Sequence, residues 1–271
     1  MATKIKQIID SKGMDTLLFS SWLSAQGINR AEQAAYVQSG WLEKVAHGVY
    51  KMAGADVSLY SALSAYNTQL SKQCIIGAET ALEIRGYSHY VPMGKPLAFL
   101  FTDACAKLPQ WFIKHEWDRT LHYHTISLWK DNNLGVEQRE EDGHSLLVSS
   151  PERAIMECLN RPYVTQTLMD TYYIMEMLTT LRPKLVQQLL EQCSSIKVKR
   201  LFLYMAEKAN HPWFKAIEIR QVDLGSGRRM ISEYRKNELY LPYKAELQDI
   251  SPLILYRKKN RHLRKLHLEC L

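Results

Sequence analysis

The stretch from Ser20 to Met52 constrains the fold more than any other part of this sequence. Gly27 can adopt the left-handed conformation that ends a first short helix, and Asn29 is a favourable N-cap for a second helix. Glu32 follows Asn29 at the spacing of a capping box, and residues 41–51 alternate and turn as a hairpin does. Two helices joined by a short turn and followed by a hairpin predict a winged helix-turn-helix.

A winged helix can place one helix in the major groove of DNA and its hairpin along the backbone or the minor groove. The helix that follows Asn29 is the candidate recognition helix, and Arg30 and Gln33 lie near its N-terminal end. Arginine can bind guanine, and glutamine can bind adenine, through two hydrogen bonds each. The residues that we expect to contact DNA are Asn29, Arg30, Gln33, Lys44, His47 and Lys51. A winged helix that makes only protein contacts is the alternative.

A chain of 271 residues is long enough for two domains. We predict a winged helix over residues 1–53 and a larger mixed domain over residues 56–271, in an α+β fold. The core of the winged helix would be completed by a helix over Lys4–Lys12 through Ile5, Ile8 and Ile9. We expect the larger domain to fold without the winged helix.

Apolar spacing divides the larger domain into predicted helices and strands. Helices are predicted at 57–70, 78–85, 165–180, 183–193 and 196–208, and strands at 74–77, 97–101, 120–127 and 145–148. The acidic residues 131–143 are predicted to form a loop. Residues 217–223 and 230–234 flank a Gly-Ser-Gly sequence and are predicted to pair as a hairpin.

The net charge of +7 is unevenly distributed along the chain. Residues 1–52 carry +2, residues 53–194 carry −4 and residues 195–271 carry +9. Most of the basic excess therefore lies outside the predicted winged helix. This distribution indicates a second partner that is a polyanion or an acidic protein.

The five cysteines are scattered through the sequence without a CxxC pair. Reduced thiols that are buried as small apolar groups fit this pattern best, so we expect a cytoplasmic protein. No apolar run approaches the roughly 18 residues of a membrane-spanning helix. The start MATKIKQIIDSKG has no signal-peptide core.

Signals of catalysis are few. His122 and His124 would share one face of a strand, as two metal ligands can, but no third ligand follows at a useful spacing. A nuclease of the carboxylate-and-lysine kind has the pattern ExK, which this sequence lacks, and the nearest matches are ExR, as in Glu233-Tyr234-Arg235. We therefore predict no catalytic residue, no metal site and no cofactor. A DNA-targeted nuclease remains an alternative, as does a ligand-sensing repressor with a deep apolar pocket.

Six distinctive runs occur in order over nearly the whole chain: YVQSGWLEKVAHGVYK (36–51), GAETALEIRGYSHYV (77–91), LPQWF (108–112), SSPERAIMECL (149–159), SSIKVKRLFLYMAEKANHPWF (194–214) and VDLGSGRR (222–229). Together they resemble the AbiEi family of antitoxins from bacterial type IV toxin–antitoxin systems of the phage-resistance, abortive-infection kind.

This resemblance implies an autoregulator with two roles. Its winged helix would bind the promoter of its own operon, with DNA contacts at Arg30, Gln33, Lys44 and His47. Its C-terminal domain would neutralise a nucleotidyltransferase toxin without forming a stable complex with it.

A nucleotidyltransferase would act on a nucleotide or an RNA end, and cations beside an aromatic ring suit a phosphate with a stacked base. On a helical wheel of residues 195–207, one face is apolar, and the opposite face gathers Lys199, Arg200, Leu203 and Tyr204. We therefore expect an antitoxin face that engages RNA, formed by Lys197, Lys199, Arg200, Tyr204, Arg228 and Arg229 and extended by the tail Arg257–Lys265. A helix packed on both sides, with its cations reaching out to solvent, is the alternative.

Overall fold

The computed structural model describes residues 5, 6, 8, 13–88, 94–103, 106–125, 127–160, 168–226, 229–232 and 239–241. Its helices and sheets confirm the α+β fold class. The chain divides into two compact units, the first comprising Met1–Ser127 with Asn132–Ala154 and the second comprising Leu128–Asp131 with Ile155–Leu271. The first unit extends well past residue 53, and the division into functional domains at residues 1–53 and 56–271 stays a prediction.

The first unit begins with the winged helix that the sequence predicts. Its elements are strand β1 (Leu17–Phe19), helix α1 (Ser20–Ala25), helix α2 (Arg30–Gln38), strand β2 (Leu42–Ala46) and strand β3 (Val49–Met52). Strand β3 pairs antiparallel with both β1 and β2, so β1, which was not predicted, completes a three-stranded sheet. Of the predicted helix Lys4–Lys12, the described residues Ile5, Lys6 and Ile8 are helical, and the others lie outside the described residues.

The core of the winged helix joins side chains from every one of these elements. Its buried members are Ile5, Ile8, Leu18, Leu23, Ile28, Leu42 and Met52, with Trp22, Tyr36, Val37, Tyr50 and Ala55 packed partly against them. The predicted capping box starts α2: Asn29 Oδ1 accepts a hydrogen bond from the Glu32 backbone N (3.0 Å), and Glu32 Oε2 accepts one from the Asn29 backbone N (2.8 Å). Such an N-cap stabilises a helix by about 1 kcal/mol.

A five-stranded sheet follows the winged helix in the first unit. Its strands are β4 (Cys74–Ile76), β5 (Leu97–Thr102), β6 (Thr120–Thr125), β7 (Val136–Glu141) and β8 (His144–Ser149), in the order β6-β5-β4-β8-β7. The pairs β5–β6 and β4–β8 are parallel, and the pairs β4–β5 and β7–β8 are antiparallel. The helices of this region are α3 (Leu59–Leu70), α4 (Ala78–Ile84) and α5 (Gln110–Lys114).

The prediction that residues 131–143 form a loop was wrong. Val136–Glu141 is an edge strand that pairs with β8 through a two-residue turn at Asp142 and Gly143. Both turn residues have a left-handed backbone, with φ of 50° and 77°, as a type I′ turn requires. The acidic side chains that suggested a loop suit an edge strand, because charges there prevent pairing with other chains.

Helix α3 connects the winged helix to the rest of the first unit. The Gln69 side chain accepts a hydrogen bond from the Phe19 backbone N (3.0 Å) and donates one to the Leu17 carbonyl (2.7 Å). The Phe19 ring centroid lies 6.3 Å from that of Tyr66. A fragment that starts at residue 56 would lose these partners, so the contacts argue against the expectation that the larger domain folds alone.

The second unit is mainly helical. After helix α6 (Pro151–Asn160), the chain forms helices α7 (Leu168–Met177), α8 (Pro183–Gln192) and α9 (Ile196–Ala209), the short 3-10 helices Pro212–Ala216 and Ile219–Gln221, and the antiparallel strands β9 (Arg229–Ser232) and β10 (Leu239–Leu241). The predicted pairing of residues 217–223 with 230–234 was wrong, because the first segment forms a 3-10 turn and β9 pairs with β10 instead. Helix α9 contacts α7, β9 and β10.

Three cysteines, Cys74, Cys158 and Cys193, are buried as free thiols. Burial raises the pKa of the Cys74 thiol and of the Cys193 thiol, so both stay protonated near neutral pH. They act as small apolar groups of the core, as the sequence predicts. Cys105 and Cys270 lie outside the described residues.

Candidate nucleic-acid interface

Helix α2 (Arg30–Gln38), the candidate recognition helix and called the recognition helix below, has one packed face and one open face. The packed face consists of Gln33, Tyr36 and Val37. The open face consists of the exposed residues Arg30, Ala31, Ala34, Ala35 and Gln38. At about 100° per residue, these five positions span an arc of about 140° on the helix surface. Gln38 lies near the middle of that arc, and Arg30 lies at one edge of it.

Gln33 was predicted to contact a base, but the structure buries it. Its side chain is 1% exposed. The amide Nε2 donates to the carbonyl of Ser20 (3.2 Å), to Ser24 Oγ (3.2 Å) and to the carbonyl of Ile28 (2.9 Å), while Oε1 accepts from Ser20 Oγ (2.6 Å). These hydrogen bonds fasten the recognition helix to α1 and to the turn between them. Gln33 therefore positions the helix and does not present its amide to DNA.

The helical period contains the signal that separates Gln33 from Gln38, the second glutamine of the helix. Gln33 stands three residues before Tyr36 and four before Val37, so it lies between these two core residues on the helix surface. Gln38 stands five residues after Gln33 and is rotated from it by about 140°. If the base-contacting residue is chosen by its closeness to the N-terminal end of the helix, the choice is Gln33. If it is chosen by its position opposite the packed face, the choice is Gln38.

Two of the predicted contacts lie at the N-terminal end of the recognition helix. Asn29 is exposed, and its side chain is engaged in the capping box, where it serves the helix itself. Arg30 is exposed at the first helical position. The helix dipole does not stabilise a cation at this position, because the N-terminal end of a helix carries a partial positive charge. The guanidinium and the helix terminus both favour an anion at this end of the helix.

The wing, formed by β2, β3 and the turn between them, presents two other predicted contacts. Lys44 and His47 are exposed on it. Lys51 is half-buried: its Nζ lies 3.4 Å from Glu43 Oε2 and donates a hydrogen bond to the Ala55 carbonyl (3.0 Å). Its charge is therefore engaged within the first unit in the free protein, and its contact with DNA stays a prediction.

The tip of the wing is connected to helix α1. Gly48 has a left-handed backbone with φ of 71°, and its carbonyl accepts a hydrogen bond from the Ser20 backbone N (2.8 Å). Ser20 also exchanges hydrogen bonds with the buried amide of Gln33. One serine thus joins the wing, helix α1 and the recognition helix, so the two elements that would face DNA hold a fixed position relative to each other.

A cleft of about 530 Å³ opens beside the wing within the first unit. Its charged and imidazole-bearing lining residues are Lys44, Lys51, Lys95, His115, Glu43, Asp56, Glu116 and Asp118. Burial, and then the positive charge of Lys51, lower the pKa of His115. A ligand-sensing repressor would need a mostly apolar pocket with few polar groups, and this lining does not favour that alternative.

Lys199 and Arg200, the centre of the predicted antitoxin face, are buried in the second unit at 4% and 2% exposure. Lys199 Nζ donates to the carbonyl of Asp223 (3.2 Å). Arg200 Nε donates to the carbonyl of Leu224 (2.9 Å), and its Nη2 donates to the carbonyl of Gly225 (3.3 Å). Helix α9 is packed on both sides, and Lys199 and Arg200 bind the backbone of their own chain. They are not open to RNA, contrary to our expectation.

The other members of the predicted antitoxin face are less deeply placed. Lys197 is half-buried, and burial lowers the pKa of its ammonium group. Tyr204 is partly exposed, and burial, followed by the charge of Glu207, raises the pKa of its phenol. Lys208 Nζ lies 5.9 Å from the Tyr204 ring centroid, within cation–π distance. Arg228, the side chain of Arg229 and the tail Arg257–Lys265 lie outside the described residues.

The two histidines of β6 pack beside aromatic rings, with their ring planes tilted by 37° and 30°. The ring centroid of His122 lies 5.0 Å from that of Phe99, and that of His124 lies 6.0 Å from that of Phe101. Among the described residues, no group of three or more His, Cys, Asp or Glu side chains is arranged to hold a metal ion. The nuclease-like triplet at residues 233–235 lies outside that part of the chain. In the same part of the chain, no helix has the length and apolar character needed to cross a membrane.

Comparison with known proteins gives a family and a related fold. Residues 95–245 match a family described as a transcriptional regulator, the AbiEi antitoxin of a type IV toxin–antitoxin system, and residues 1–93 match the N-terminal domain of that antitoxin. No curated protein is a significant match. The chain is similar in structure to the RV2827C protein from Mycobacterium tuberculosis, with a TM-score of 0.55 and 13% identity over 80% of this chain and 83% of that one. At this identity the similarity concerns the fold alone.

Proposed function

This chain belongs to the AbiEi antitoxin family of transcriptional regulators, and from that premise we propose two activities for it. The winged helix binds the promoter of the chain's own operon and represses it. The protein also neutralises a nucleotidyltransferase toxin from the same operon, without a stable antitoxin–toxin complex. Both activities take place in the cytoplasm.

The open face of the recognition helix carries the proposal of DNA binding. Arg30 supplies a cation at its N-terminal end, and Glu32, the single acid of the helix, is held in the capping box. Within this helix, all of which the structure describes, no carboxylate therefore extends from the open face toward the phosphates. Lys44 and His47 on the wing add exposed donors for the DNA backbone. This arrangement suits a recognition helix in the major groove with the wing along the backbone.

Fluorescence anisotropy of the full-length protein with a duplex from its own promoter tests this proposal. We expect tighter binding to the promoter than to a random duplex at equal salt, by about 10³-fold or more. Arg30→Ala should weaken promoter binding by roughly 5- to 150-fold, because a two-bonded arginine–guanine contact is worth about 1–3 kcal/mol. Lys184→Ala removes an exposed helical cation of the second unit and should bind as the wild type does.

A promoter–reporter fusion measures repression in cells with the same variants. The wild type and Lys184→Ala should repress the reporter, and Arg30→Ala should repress it less. Equal affinity of the wild type for promoter and random duplexes would contradict operator recognition. That result would favour a winged helix used for protein contacts.

Toxin neutralisation is supported by family membership. Coexpression with the product of the adjacent gene, scored by growth, tests it directly. We expect the chain to restore growth, and we expect the two proteins to elute separately on gel filtration. A failure to restore growth would contradict neutralisation, and co-elution would indicate direct inhibition of the toxin.

For the neutralising surface we propose Lys197 and Tyr204, with Arg228 and Arg229 as further candidates. A half-buried ammonium group and a partly exposed ring suit a phosphate and a stacked base of RNA. Lys197→Glu combined with Tyr204→Ala should abolish the restoration of growth and leave promoter binding unchanged. Lys215→Glu reverses an exposed cation of the same unit and is the matched control.

A further inference from the structure

The two glutamines of the recognition helix differ in what their amides contact. Gln33 uses its amide inside the first unit, whereas Gln38 is exposed near the middle of the open face. Among the described residues, the Gln38 amide has no hydrogen-bond partner. On the premise that the winged helix binds DNA, as proposed above, we propose that Gln38 determines part of the operator sequence by recognising an adenine in the major groove.

Few side chains on the open face can distinguish one base from another by hydrogen bonding. Three of its five residues are alanines, which have no hydrogen-bonding group in the side chain. Discrimination between bases through side-chain hydrogen bonds therefore depends on Arg30 and Gln38 along this face. Arg30 accounts for a guanine contact in the proposed function, and the amide of Gln38 adds the second specific contact.

The chemistry of the amide favours adenine over the other bases. A glutamine side chain offers an N–H donor and a carbonyl acceptor in a single plane. Adenine presents the matching acceptor at N7 and donor at N6 on its major-groove edge. Guanine presents two acceptors on that edge, so only one half of the amide would find a partner there.

The neighbours of Gln38 on the open face suit close contact with base edges. Ala31, Ala34 and Ala35 have small side chains, so the helix can approach the floor of the groove. The hydrogen bonds of Gln33 to the carbonyls of Ser20 and Ile28 hold the helix in one orientation behind that face. A fixed orientation is what base discrimination requires, because a displaced amide loses one of its two hydrogen bonds.

The position of Gln38 along the helix predicts the position of its base in the operator. Residues eight apart are separated by about 12 Å along the helix axis, and successive base pairs by about 3.4 Å. Arg30 and Gln38 should therefore contact bases at most about three or four base pairs apart, and fewer where the helix is inclined to the DNA axis. The expected operator half-site contains one guanine and one adenine within that separation.

Selection from a library of duplexes with a randomised central segment tests the inference with the full-length protein. The proteins to compare are the wild type, Gln38→Ala, Gln38→Arg and the matched control Gln188→Ala. Gln188 is an exposed helical glutamine of the second unit. Alanine and arginine are both good helix formers, so these exposed substitutions should preserve the fold, and circular dichroism checks that they do.

We expect the wild type and Gln188→Ala to enrich the same guanine and adenine at the same separation. Gln38→Ala should lose the preference at the adenine and keep it at the guanine. Gln38→Arg should replace the preference for adenine by one for guanine, because a guanidinium matches the two acceptors of guanine.

Anisotropy titrations with the selected duplex give the size of the effect. Exchange of the adenine for guanine should weaken wild-type binding by roughly 5- to 150-fold. The same exchange should leave the affinity of Gln38→Ala nearly unchanged, and it should strengthen the binding of Gln38→Arg.

Two results would overturn the inference and leave promoter binding intact. One is an unchanged base preference in both Gln38→Ala and Gln38→Arg. The other is an equal loss of affinity of Gln38→Ala for every duplex, which would mark a contact to the DNA backbone. If the wild type enriches no sequence at all, the proposed promoter binding fails, and adenine recognition fails with it.

Discussion

The recognition helix and helix α9 carry similar side chains, but a pair of polar side chains is exposed in the first helix and a pair of cations is buried in the second. Each has a cation near its N-terminal end and mixes polar with apolar residues at helical spacing. In the recognition helix, Arg30 and Gln38 are exposed. In helix α9, Lys199 and Arg200 are buried and donate hydrogen bonds to three consecutive carbonyls, those of residues 223–225.

The difference follows from the number of faces that each helix packs. The recognition helix packs one face on the core of the winged helix, so the opposite face stays available to a ligand. Helix α9 is covered by α7 on one side and contacts β9 and β10. A polar group inside a packed helix must find a partner in the protein, because an unsatisfied buried group costs about 1–3 kcal/mol. A cation on an exposed helix face is therefore available to bind a ligand, whereas a cation on a packed face stabilises the fold.

Among the substitutions that test this comparison, the removal of Arg200 should have the largest effect on stability. Arg200→Ala deletes a buried guanidinium and leaves the carbonyls of Leu224 and Gly225 without their donor. We expect a loss of about 2–4 kcal/mol in the free energy of unfolding, measured by urea denaturation with circular dichroism. Hydrogen–deuterium exchange of residues 222–226 should accelerate in the same variant.

Lys208→Ala is the matched control for Arg200→Ala on the same helix. Lys208 is half-exposed over the Tyr204 ring, and its removal should cost less than about 1 kcal/mol. Equal destabilisation by the two substitutions would mean that the hydrogen bonds of Arg200 to the two carbonyls add no stability beyond that of a surface cation. The contrast between a buried cation and a surface cation would then be lost.

Gln33 and Gln38 sharpen the comparison within a single helix. Gln33→Ala removes a buried amide that bonds Ser20, Ser24 and Ile28, so we expect a loss of about 1–3 kcal/mol in the free energy of unfolding. Gln38→Ala changes an exposed residue and should alter stability by less than about 0.5 kcal/mol. Thermal and urea denaturation of both variants measure the difference. A larger loss for Gln38→Ala would reverse the assignment of the packed and open faces.

Local signals predicted the winged helix well because its elements depend on neighbouring residues. The capping box of Asn29 and Glu32 and the left-handed Gly27 define helix ends within a few positions of the chain. The same kind of signal, Asp142-Gly143, was present for strand β7, and the acidic composition of residues 136–141 hid it. Strand β1 could not be predicted this way, because it depends on pairing with β3.

Side-chain roles were harder to predict than the elements that carry them. Arg30, Lys44 and His47 lie exposed, as a residue must to contact DNA. Gln33 and Lys51 have the right residue types at nearby positions and are used within the protein. One of the two partners of Lys51 is the Ala55 carbonyl, and no residue type at that position indicates such a bond.

The smallest expected effect concerns the two lysines of the wing. Lys44 is exposed, so its ammonium group can neutralise a DNA phosphate. Lys44→Ala should weaken binding to promoter and random duplexes alike, by several-fold, because a phosphate contact carries no base information. The slope of log K against log salt should fall by about one ion in anisotropy titrations from low to high salt.

Lys51→Ala is the matched control on the next strand of the same wing. Its ammonium group is held by Glu43 and by the Ala55 carbonyl, so no counterion is released from DNA when the wing docks. The salt slope of Lys51→Ala should therefore equal that of the wild type, although its stability should fall slightly. If both lysines lowered the slope equally, the wing would open on DNA and release Lys51. The distinction between exposed and internally bonded cations would then describe only the free protein.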